Sequence, residues 1–113
     1  MDSAKIKTLE QVNDALDIVE EARADLDLQP AEKLLMERAS IQLRNLERTI
    51  IKQKEQELVE GLKTDTKELA FVISEIKQSA QNLARIAEII EKANKIAEEF
   101  INLVSKALAA GLV

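Results

Sequence analysis

The chain has 113 residues, of which 46% are apolar and 33% charged, and its net charge is −5. This length suits a single domain, residues 1–113, and the two Phe with no Trp or Tyr demand an aliphatic core. With neither Cys nor His, the sequence excludes disulfides, thiolate chemistry, imidazole metal sites and histidine general bases.

The N-terminal residues lead into an amphipathic pattern rather than an apolar secretory segment, which reads as a cytoplasmic protein. An Ala-, Leu-, Ile-, Glu- and Lys-rich composition with two Gly and one Pro points to an all-α fold of long helices or coiled coil.

The first predicted helix covers about residues 4–27. Leu9, Val12, Leu16, Val19 and Leu26 recur at spacings of three and four, with Ala15 and Ala22 beside them. Glu10, Asp14, Asp17, Glu21 and Asp25 occupy the opposite face. Residues 1–29 hold three basic and eight acidic side chains, whereas the rest of the chain is balanced, so the whole acidic excess falls here. Pro30 disfavours helix at the residue before it and suits the first turn of the next, which places the first joint at Leu28–Pro30.

The second predicted helix runs from about 30 to 60, with a stripe of Leu35, Met36, Ala39, Leu43, Leu46 and Ile50. Gln53 and Glu57 then take the next core positions, while Leu34 and Ile41 lie off the stripe on another face. Gly61 suits a left-handed helix end, and Asp65 with Glu68 has capping-box spacing, so the second joint is expected at Gly61–Asp65.

The third predicted helix extends from about 66 to 110 without Gly or Pro. A seven-residue repeat holds throughout: Leu69, Ile76, Leu83, Ile90, Ala97 and Val104 form one series. Val72, Ser79, Ile86, Ala93, Phe100 and Ala107 form a second, and Ile73, Ala80, Ala87, Asn94, Ile101 and Leu108 a third. Three helices joined by short turns predict an antiparallel up-down-up bundle with coiled-coil packing. Helix lengths of about 36, 46 and 68 Å leave the third overhanging by about 20 Å.

From Ile86 onward the apolar arc widens, because Ile89, Ile96 and Leu103 join the stripe. Each large apolar side chain left in water forfeits about 1.5–3 kcal/mol, so this face needs a cover. Ile89, Ile96, Phe100, Leu103, Val104 and Leu108 are therefore the expected interface with a second copy or another helical protein. The segment beyond Asn94 carries that contact, or else bends back near Asn94. A charged contact surface is expected from Asp14, Asp17 and Glu21 with the basic row Arg44, Arg48 and Lys52.

Catalysis is not expected. Acidic pairs such as Asp14/Asp17 and Glu98/Glu99 fall on polar faces, and the two glycines lie far apart rather than in a phosphate loop. No metal, cofactor or small-molecule substrate is anticipated. No segment is strongly basic, which argues against nucleic acid. The expected function is that of a non-catalytic helical-bundle interaction or assembly protein. The alternative is membrane association through residues 89–113, less favoured because the polar face there mixes Lys92, Lys95 and Lys106 with Glu91, Glu98 and Glu99.

Overall fold

A computed structural model describes residues 2–112, so Met1 and Val113 lie outside the described residues. It is all-helical, with no strand among those residues, and four α-helices pack against one another where the sequence predicts three. They are α1 (Asp2–Arg23), α2 (Pro30–Lys52), α3 (Glu55–Ser79) and α4 (Ala84–Ala109), with a single 3₁₀ turn at Gln81–Leu83 before the last. Helix α1 packs on α2 and α4, and α3 packs on the same two, which closes a ring around one core. The molecule measures 51 × 21 × 18 Å.

The first joint falls where proline places it. Helix α1 ends at Arg23, a turn earlier than the apolar pattern suggests, and Pro30 opens α2. Within the connection the Asp25 carboxylate accepts the Asp27 N–H at 2.9 Å, and the Glu32 carboxylate accepts the Gln29 N–H at 2.9 Å. Leu26, counted in the stripe of the first helix, belongs to this turn and is 89% exposed.

The second joint is not at Gly61–Asp65. Helix α3 runs straight through both residues, and the chain turns at Gln53–Lys54. The physical signal is the failing stripe: apolar positions stop at Ile50, and a new buried set, Leu58, Leu62, Leu69, Val72 and Ile76, starts on another face. Thr64 and Thr66 are helix-interior residues, not caps. Their hydroxyls donate to their own helix, Thr64 to the Glu60 carbonyl at 3.2 Å and Thr66 to the Leu62 carbonyl at 2.8 Å. Asp65 accepts the Thr49 hydroxyl from α2. Gly61 serves close approach rather than helix termination.

The expected third helix is two helices. Ala80, at φ −140° and ψ 71°, ends α3, and the 3₁₀ turn reverses the chain into α4. The overhang disappears, because helices of 25 and 26 residues match α1 and α2, of 22 and 23 residues. The seven-residue repeat nonetheless identifies the core on both sides of the turn. Leu69, Ile76, Leu83, Ile90, Ala97 and Val104 are all buried. Burying Ala80 and Leu83 in the turn itself favours this reversal over a straight helix with an uncovered flank.

Opposite numbering across α2 and α3 sets their relative direction. Arg38 pairs with Glu75 and Thr49 with Asp65, so the two helices run antiparallel.

Candidate functional site

Of the residues expected to meet another molecule through α4, Ile96, Phe100 and Leu103 face α1 instead. Phe100 is only 4% exposed and Val104 is fully buried, while Ile89, Ile96 and Leu108 are partly covered. Only Leu103, at 43% exposure, keeps a substantial free surface. Small residues on α1 allow the approach: Ala4 and Thr8, with Lys7, face Ile96, Glu99, Phe100 and Leu103 across a groove of about 150 Å³. Buried Thr8 is satisfied by donating to the Ala4 carbonyl at 2.7 Å. The widened apolar arc of α4 is thus explained by its place between two neighbours, α1 and α3. This corrects the expectation that the chain beyond Asn94 lacks local cover. Nor does the helix bend at Asn94, which lies inside α4.

The charged surface sorts into two kinds of residue. Asp14, Asp17 and Glu21 are exposed on the outer side of α1, as is Glu10. Glu20, one position from Glu21, turns instead toward α2. Its carboxylate accepts from the Ser40 hydroxyl, from Arg23 at 3.1 Å and from Arg44 at 3.3 Å. The Ser40 hydroxyl chiefly, with the two guanidiniums, holds Glu20 below the usual carboxylate range. Arg44 is therefore partly engaged within the chain. Arg48 and Lys52 are exposed, and neither has an ion-pair partner among the described residues. They border a polar recess of about 260 Å³ with Asn45, Thr49, Gln53 and Asp65.

Two further ion pairs fasten neighbouring helices, and sequence spacing gave no hint of them because their partners are distant in the chain. Arg38 grips both carboxylate oxygens of Glu75, lowering the Glu75 pKa and raising its own. Lys77 donates to Glu91 at 2.8 Å and holds that carboxyl low. Both pairs are part-exposed, so each contributes little to stability.

Asn94 is the one polar side chain of α4 in the core, 3% exposed. Its amide donates to the Thr66 carbonyl of α3 at 3.1 Å, while its Oδ1 is buried without a donor among the described residues. The interruption it makes in an otherwise apolar series was the available sequence signal.

Several large apolar side chains remain in water. Leu34, Ile41 and Ile51 are exposed on α2, Ile6 on α1 and Phe71 on α3. Leu34 and Ile41 are the pair that falls off the core stripe of α2. Among the described residues no group of three or more acidic side chains is arranged to hold a metal ion. No described helix is long and apolar enough to cross a membrane. Comparison with protein-family models, with curated proteins and with solved structures finds no match for this chain.

Proposed function

We propose that this chain is a non-catalytic assembly protein, an up-down-up-down four-helix bundle that pairs with a second copy through its α1–α2 face. Connections of two to six residues favour antiparallel neighbours, which supports that topology. One observation carries the functional reading: two adjacent outer strips carry opposite charge. Glu10, Asp14, Asp17 and Glu21 line α1, and Arg44, Arg48 and Lys52 line α2, the helix that also exposes Leu34, Ile41 and Ile51. A two-fold axis along such a face sets each acidic strip against the partner's basic strip. Charge then selects orientation, and the apolar side chains supply affinity. The contact role moves from α4 to α1–α2 because Phe100 and Val104 are committed to the core.

Gel filtration with light scattering tests the reading. Wild type should be a dimer at tens of micromolar, and salt should weaken it through screening of exposed charge. Reversing Asp14, Asp17 and Glu21 to Lys should give a monomer of unchanged helicity. Adding Arg48→Glu and Lys52→Glu should restore pairing. A wild-type monomer at every concentration would sink the proposal. Sedimentation with liposomes would return the alternative, in which α4 opens its apolar face onto a bilayer.

A further inference from the structure

The α2–α3 connection has no residue that obliges the chain to turn. Gln53 and Lys54 adopt ordinary extended backbone, at φ −85° ψ 141° and φ −76° ψ 159°. No described non-glycine residue has positive φ, and Lys54 makes no side-chain cap to α3. The run Lys52-Gln53-Lys54-Glu55-Gln56-Glu57 consists entirely of good helix formers. Continuing the helix through these two residues would also pair the last carbonyls of α2 with the first N–H groups of α3, which otherwise lack intrahelical partners.

The other two connections differ. Pro30 makes a continuous α1–α2 helix costly, by about 3 kcal/mol or more. The α3–α4 turn holds Ala80 and Leu83 in the core, so straightening it would expose them. Gln53 and Lys54 are both exposed, and opening there uncovers nothing in the turn itself.

We infer that the Gln53–Lys54 connection is a hinge, and that two copies of the chain exchange halves through it by fusing α2 and α3 into one helix of about 75 Å. Each bundle in the exchanged dimer is built from α1–α2 of one copy and α3–α4 of the other. Every contact between α2 and α3, including Arg38–Glu75 and Thr49–Asp65, is re-formed between copies, so no core surface is lost. Continuing the register of those two pairs past the hinge brings Lys54 of one copy level with Val59 and Glu60 of the other. The chain-association entropy opposes exchange, so the dimer gains on the monomer as concentration rises. This inference rests on the proposal that the chain assembles with itself, and it adds a contact distinct from the α1–α2 face.

A disulfide reports which copy supplies α3. The chain has no cysteine, and a Cβ at position 61 would lie 2.8 Å from Thr49 Cγ2, within bridging range. The variant Thr49→Cys/Gly61→Cys is refolded at high concentration, oxidised and run on a denaturing non-reducing gel, while scattering gives the length of the wild-type particle. Exchange predicts a covalently linked dimer, a fraction that rises with concentration, and a particle about twice the 51 Å of the monomer. A dimer that dissociates into internally bridged monomers, without doubled length, overturns exchange and leaves the α1–α2 interface standing. Monomer alone overturns both. If the double variant does not fold, the wild-type length decides. Inserting four glycines between Gln53 and Lys54 breaks helix continuity and slackens the turn, so it should abolish the elongated dimer. An elongated dimer unaffected by that insert overturns the hinge.

Discussion

Thr49 and Gly61 face each other across the α2–α3 seam so closely that a Cβ on residue 61 would come within 2.8 Å of Thr49 Cγ2. Thr49 has little freedom to yield. It is β-branched, and its hydroxyl donates to the Asp65 carboxylate while lying 3.0 Å from the Asn45 carbonyl oxygen. Gly61→Ala in an open helix would gain about 1 kcal/mol of helix propensity. Here overpacking of about 1–3 kcal/mol opposes that gain, and a net loss of about 1 kcal/mol is expected in urea denaturation. Adding Thr49→Ser removes the methyl and keeps the hydroxyl, so Gly61→Ala/Thr49→Ser should recover the loss. Stabilisation by the single change would show that the seam has slack.

Phe100 belongs to the core, so Phe100→Asp should abolish the folded state rather than merely separate subunits. The gentler Phe100→Ala should cost about 3–5 kcal/mol. Leu103→Asp, one turn on and 43% exposed, should cost less, about 1 kcal/mol. Truncation after Asn94 should remove the cooperative unfolding transition, since it strips the half of α4 that α1 covers. A well-folded Phe100→Asp monomer would mean that α1 does not hold this face.

Among the described residues, Asn94 makes one hydrogen bond and buries an acceptor that has none. An unsatisfied buried acceptor costs about 1–3 kcal/mol, so an apolar residue of similar shape should do at least as well. Asn94→Leu is expected to unfold at the same temperature or higher, and Asn94→Ala at a lower one because it leaves a cavity. The expected counterpart is looser specification of the α3–α4 register, visible as extra amide resonances in Asn94→Leu. A drop of more than about 1 kcal/mol in Asn94→Leu would show that the amide's bond to Thr66 outweighs its unpaired oxygen.

Glu20, Glu75 and Glu91 are each held below the ordinary glutamate pKa by a hydrogen-bonding partner: Ser40, Arg38 and Lys77 respectively. A carboxylate with a folded pKa below its unfolded value, about 4.3, adds stability above that pH. That contribution is lost as the pH falls through the lowered folded values. With no histidine to titrate, melting temperature should stay nearly level from pH about 8 to about 5 and fall below about 4.3. The part-exposed pairs make the fall modest. The triple variant Glu20→Gln/Glu75→Gln/Glu91→Gln should show a shallower acid limb. Parallel curves for wild type and variant would assign the acid loss to other groups.

The sequence by itself determined that the chain is helical, where Pro30 divides the first two helices, and most of the buried stripes, with Leu26 the exposed exception. The series Leu69, Ile76, Leu83, Ile90, Ala97 and Val104 is core in every member, because burial follows from which face a residue occupies. Only the tertiary structure decided where the chain folds back. Neither Gln53–Lys54 nor Ala80–Leu83 contains Gly or Pro, so local propensity barely distinguishes turning from continuing there. Gly61 and Asp65 carry the local marks of a joint yet lie inside α3, where one gives room to Thr49 and the other accepts its hydroxyl. The same holds for the wide apolar face of α4. Sequence shows that it must be covered, but α1 covers it only because the chain turns at Ala80 and closes a ring of four, and that turn is selected by the apolar area the whole ring removes from water.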